Sequence, residues 1–167
     1  MQGDIVLKCP ILEPLGLSDI ESDIIEGNLI KYDTVVMSQS CDLALNKLDL
    51  VLLCPIWTLE DAAKSFKYLE SDNGKESLRR GYIPGYHLLN KCNSAHFNDS
   101  YLVVEFRSVY SVGFKFLNNH IKTLDNRIRI LSPYREHLSQ AFARFFMRVG
   151  LPTDIEPFSK KPDIDIP

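Results

Sequence analysis

Residues 35–43 read VVMSQSCDL. Two β-branched residues and a methionine make a buried strand, and the strand stops at a small polar cluster. The cluster holds the hydroxyls of Ser38 and Ser40, the amide of Gln39, the thiol of Cys41 and the carboxylate of Asp42. A rigid strand that ends this way aims polar groups from a loop, which suits chemistry. The same residues also satisfy the backbone groups of a tight turn. Spacing alone favours that simpler role.

Strand signals flank this stretch on both sides. GDIVLKC (residues 3–9) alternates apolar and polar side chains, and Pro10 is expected to stop it. LDLVLLCP (48–55) is a nearly continuous apolar run, expected to be covered on both faces. Residues 101–106 and 108–116 read as further β-rich runs, and 128–131 as a short last one. Thr58, with Asp61 three residues later, predicts a capped helix whose apolar face carries Ala62, Ala63, Phe66 and Leu69. That helix breaks at 71–74, and a basic segment with Lys75, Arg79 and Arg80 follows. Near the end, Ser132 and Pro133 predict a helix start. Leu138, Ala141, Phe142, Phe145, Phe146 and Val149 make its core stripe, and Gly150 and Pro152 end it. Phe142, Phe145 and Val149 are expected to be buried. The reading is one domain over 1–152 and an extended, proline-rich tail over 153–167.

The chain has 167 residues, 45% hydrophobic and 25% charged, which is enough for one proper core. No apolar run approaches the roughly 18 residues that cross a bilayer, so no membrane partner is expected. MQGDIVLKCP has no basic stretch ahead of an apolar one, so no signal peptide is expected. Cys9, Cys41, Cys54 and Cys92 are widely spaced, which predicts free thiols in a reducing cytoplasm. The net charge of −3 hides a segregation. Glu13, Asp19, Glu21, Asp23 and Glu26 fall between Lys8 and Lys31 with no base among them. Residues 127–148 carry five arginines against one acid, Glu136. The acidic excursion 11–31 is expected to be mobile or to address a basic protein partner.

In order along the chain, GDIV, the VV-S strand end, a strand ending in Pro55-Ile56 ahead of Thr58, the Arg127–Arg129 strand and a helix ending in RVGLP resemble the PemK/MazF-like growth-inhibitor family over residues 3–152. The resemblance implies mainly β structure with α: a small SH3-like antiparallel barrel with an inserted helix and a C-terminal amphipathic helix. It also implies frequent dimers, and cleavage of single-stranded RNA by the best-known members. This chain departs from the pattern at Tyr32-Asp33-Thr34, where the family's nucleases carry Arg-Pro, and in the loop after GDIV, which here is purely acidic. A carboxylate in place of the site arginine repels phosphate.

Two functions follow as expectations. The first is a non-catalytic or altered interaction module in a prokaryotic stress, toxin or defence system, working through a protein partner. The second is a metal-independent, sequence-selective endoribonuclease. Its site would draw on Ser38, Gln39, Asp42 and Thr58, the last matching the family's site threonine, with Asp42 as base and Arg107 or Arg129 supporting the charged phosphorus centre. Arg79, Arg80, Arg144 and Arg148 are further binding candidates, Tyr82 and Tyr86 lying near the first two. Arg144 and Arg148 share the polar face of the last helix with Arg135 and Gln140, and the bland role for that face is solvation. Arg107 shares one side of a strand with Glu105. Cys41 as a nucleophile needs a histidine, His87 or His96, that sequence does not place. His87, Cys92 and His96 lack the paired spacing of a zinc site, so no metal and no cofactor is expected.

Overall fold

The computed structural model describes residues 1–15, 26–45 and 47–147. Seven strands and five α-helices follow one another along them. They are β1 (Asp4–Pro14), β2 (Gly27–Val36), α1 (Ser40–Ala44), β3 (Leu50–Thr58), α2 (Leu59–Ser65), α3 (Asp72–Arg79), β4 (Tyr86–Cys92), β5 (Ser100–Glu105), β6 (Tyr110–Gly113), α4 (Phe114–Lys122), β7 (Ile128–Arg129) and α5 (Tyr134–Phe146), with a 3-10 turn at Lys67–Glu70. Among the described residues no helix is long and apolar enough to cross a membrane.

The strands pair antiparallel in the order β4-β5-β3-β2-β1-β7, with β6 also on β3. β3 is the hub because it divides its length among three neighbours. Leu50–Leu53 pair with β6, Leu53–Pro55 with β2, and Ile56–Thr58 with β5. The two ends of the strand path do not pair with each other, so the sheet bends without closing into a barrel. Closure would need long end strands, and β7 has two residues. Helix α5 instead covers that side of the sheet, placing Leu138 in the core beside Phe106 and Leu89.

Period-two alternation explains why both faces are covered. Val35, Cys54, Ile56 and Val104 face α5. Val36, Val51 and Leu53 face the other way, toward Leu43 of α1 and Leu117 of α4. Val103 packs under α2 and α3 against Ala62, Leu69 and Leu78. Full burial of each such aliphatic side chain stabilises by roughly 1.5–3 kcal/mol.

Several expectations are corrected. Pro10 does not stop the first strand, which continues to Pro14. The N–H of Leu15 donates to the Glu26 carbonyl at 2.9 Å. Counting back along the register, Pro10 and Pro14 occupy positions whose nitrogens point away from β2. Residues 11–14 and 27–31 of the acidic excursion therefore lie in paired strands, while residues 16–25, on which most of the expected mobility or partner contact falls, lie outside the described ones. Within it, Glu13 accepts hydrogen bonds from Tyr32 (3.0 Å) and Tyr110 (2.7 Å).

The predicted strand at 108–116 ends at Gly113. Phe114, Leu117 and Ile121 recur at helical spacing and pack α4 onto the second core. The basic segment after residue 74 is helix α3, capped by Ser71, which accepts from Gly74 N–H at 3.0 Å. The 86–92 stretch, where no strand was expected, is the strand β4. Ser132 does not cap α5, whose first flanking residue is Pro133. Phe142 and Phe145 are half-buried, because Leu138 takes the innermost place. Val149, Gly150, Pro152 and the 153–167 tail lie outside the described residues.

Candidate functional site

An array of polar groups lies at the β4 edge of the sheet. α3 ends in a Schellman motif. Gly81 N–H donates to Leu78 carbonyl (3.0 Å) and Tyr82 N–H to Ser77 carbonyl (2.9 Å), with Gly81 at φ +73°. The chain then turns through Pro84 and Gly85 into β4. His87 and Leu89 point toward α5, Tyr86 and Leu88 toward α3. On α5, Leu138 anchors the helix, so His137, Gln140, Ala141 and Arg144, at i, i+3, i+4 and i+7, share the face turned to β4.

Between α3 and α5 these residues line a cleft of about 530 Å³, together with Arg79, Arg80, Tyr86, His87 and Leu88. Its lining contains three arginines, two imidazoles and no carboxylate. Arg79 and Arg80 are held by Glu76 on the same helix at 2.7 and 2.6 Å, an exposed arrangement worth little in stability but enough to fix their direction. Among the described residues Arg144 has no carboxylate partner; its Nε donates to the Gln140 carbonyl at 3.4 Å. His87 stacks on Phe106 with centroids 6.3 Å apart. Burial, then the proximity of His137 and of Arg144, pushes its pKa down to about 4. The ring is therefore neutral at pH 7, a donor and acceptor without charge.

A second cleft of about 650 Å³ continues along the same edge and shares Leu78, Arg79 and Leu88 with the first. It is more apolar, bounded by Leu59, Leu89, Tyr101 and Tyr134, with Asp72, Lys75 and Glu76 balancing Arg79.

Three of the sequence-derived arginines, Arg79, Arg80 and Arg144, thus meet in one place. Arg148 lies outside the described residues. Arg107 stands one ring away, over Tyr86 (5.1 Å) and Phe66 (5.9 Å), in the space that Gly85 leaves by having no Cβ. Arg129 is committed elsewhere. With Arg127 (3.0 Å) it grips Asp4, a carboxylate only 4% exposed.

The four proposed catalytic residues are not brought together. Ser38 accepts the Leu52 N–H at 2.8 Å, at the start of β3, because β2 and β3 run antiparallel. Thr58 is the far end of β3, six residues on, or roughly 20 Å along a strand. Its hydroxyl caps α2, accepting from Asp61 N–H (3.1 Å) and donating to the Asp61 carboxylate (2.7 Å). Gln39 is the exposed N-terminal flank of α1 and accepts from the Cys41 thiol at 3.6 Å. Asp42 sits in the first turn of α1 and does not cap it. Asp33 accepts from Lys8 N–H (2.8 Å) and is bonded to the His96 ring (2.6 Å). With His96 there and His87 at β4, neither histidine is assigned to Cys41. Burial pushes the thiols of Cys9 and Cys54 up to about 11 and 12, which keeps them protonated and inert.

Sequence reasoning missed His137. Its signal is the i, i+3, i+7 row of His137, Gln140 and Arg144 on the polar side of the helix, with Ala141 at its border with the core stripe. No family model, no curated protein and no solved structure matches this chain.

Proposed function

We propose that this chain is a non-catalytic interaction module, an altered PemK/MazF-like domain of SH3-like descent used for binding in a prokaryotic stress, toxin or defence system. Its working surface is the cleft at the β4 edge, and its ligand is anionic. One observation carries this reading: α3, β4 and α5 converge to line a single concavity with Arg79, Arg80, Arg144, His87, His137 and Gln140, without a carboxylate. Convergence from three elements is what a binding surface needs and what a solvated helix face alone does not supply. The SH3-like descent is supported by the bulged, antiparallel β1-β2-β3 meander with a helix packed across it.

Cleavage of RNA by Ser38, Gln39, Asp42 and Thr58 is disfavoured by the opposite placement of Ser38 and Thr58 on β3. The test expresses the chain in a bacterial host and incubates the purified protein with labelled single-stranded RNA. The expected result is normal growth and intact RNA. Growth arrest with specific cuts, abolished by Asp42→Ala, would replace the binding reading with the nuclease one.

A further inference from the structure

We infer that the open edge of β4 receives an extended, acidic peptide segment of a partner protein as an added strand. This rests on the cleft being the working surface and specifies how it is used.

The backbone supplies the first argument. Phe106 N–H donates to the Gly85 carbonyl at 2.8 Å, and the register runs Tyr86↔Glu105, His87↔Val104, Leu88↔Val103. Bonded and non-bonded pairs alternate in an antiparallel ladder, so His87 turns its N–H and C=O toward β5 and Leu88 turns its own outward. Leu88 lines both clefts, so its outward peptide groups lie at the border that the two clefts share.

The second argument is the contrast between edges. Natural sheets blunt their edges with short strands and prolines. Here β7 has two residues, β6 has four, and the open part of β1 carries Pro10 and Pro14. β4 has seven residues, YHLLNKC, and no proline. Its ladder with β5 shifts register between Leu89 and Cys92, so the regular part of the edge is Tyr86–Leu89, with a helix standing on either side of it; β2 is also open on its β3 side over 27–33, but neither cleft lies there.

Charge and polarity define the occupant. Side chains of an added strand alternate toward α3 and α5. Over Tyr86 they meet Arg79, Arg80 and Arg144, which select carboxylates; over Leu88 and Asn90 they meet Leu59, Tyr101 and Tyr134, which select apolar groups. The fitting segment is therefore extended, acidic at one end and apolar in alternate positions at the other.

The test uses the full chain and an array of extended octapeptides, two acidic residues at one end followed by alternating apolar and polar positions, in both orientations. Binding of array members is expected, with amide hydrogen exchange at Leu88 slowed at least tenfold. Peptides N-methylated at alternate residues, one phase or the other, should bind at least tenfold more weakly. Arg144→Glu should lose the acidic peptides and gain their lysine counterparts. Acidic peptides that bind equally when methylated in either phase, with no protection at Leu88, would overturn strand addition while leaving the anionic cleft. Binding of a single-stranded oligonucleotide in place of every peptide would overturn the protein partner, and Leu88 protection in a peptide-free dimer would make the occupant a second copy. Silence from every probe would overturn both readings.

Discussion

The Ser38 hydroxyl accepts the backbone N–H of Leu52 at 2.8 Å, closing the β2–β3 ladder one step past its last strand pair. Ser38 is 6% exposed, and its removal takes the acceptor from the Leu52 N–H. Ser38→Ala is expected to cost about 1 kcal/mol, the net worth of a hydrogen bond. Asp42→Ala, on a side chain that caps nothing, should stay within about 0.5 kcal/mol. Urea unfolding of both variants checks the pair. Equal losses would mean that the carboxylate carries a structural contact of its own.

Two glycines of the α3 region should respond in different ways. A Cβ on Gly74 would sit 1.8 Å from the Tyr68 carbonyl oxygen, inside the 3-10 turn's own backbone. Gly81 has open space around it but holds φ at +73°. Gly74→Ala must displace the turn and is expected to cost more than about 3 kcal/mol, as overpacking against rigid backbone does. Gly81→Ala should cost about 1 kcal/mol of left-handed strain. Thermal melts decide, and a mild Gly74 variant would show that the turn and α3 are not tightly joined.

Acid should weaken the fold in two separable steps. His87 is held near 4 in the folded chain against an ordinary 6.5, so the unfolded chain binds more protons between those values. Its contribution is complete above about pH 6.5 and is lost as pH falls toward 4, amounting to about 2–3 kcal/mol. Burial lifts the Asp4 carboxyl, but hydrogen bonds from Arg129 and the chain's amino terminus outweigh it and leave the pKa below normal. That contribution is complete above the ordinary carboxylate range and is lost as pH falls from there through the lowered value, after most of the His87 step. Stability measured from pH 7 to 3 should lose its first step in His87→Gln and keep its second.

The α5 stripe is legible in sequence because Leu138, Phe142 and Phe145 recur at 3.6 residues, a local signal. Thr58 as a helix cap is legible for the same reason, since Asp61 is three residues away. α4 is not, because Phe114, Phe116 and Ile121 favour strands by type, and only packing against the second core selects the helix. β4 is masked by its histidine, asparagine and lysine, which look loop-like until β5 pairs with them. The site suffers most from long-range facts. Whether Ser38 meets Thr58 depends on the direction and register of β2 against β3. Whether Arg79 meets Arg144 depends on two helices standing either side of one strand. No spacing along the chain encodes either.

Pro10 and Pro14 on β1 carry a consequence for growth of the sheet. A sheet that recruits strands at two receptive borders can propagate without limit, each newcomer offering a fresh template to the next. Here the border along β1 lacks an N–H at Pro10 and at Pro14, so a strand laid there would go without those bonds. If β4 takes an added strand as proposed, growth of the row from the β1 side is thereby weakened, and lengthening falls to the guest's own free edge.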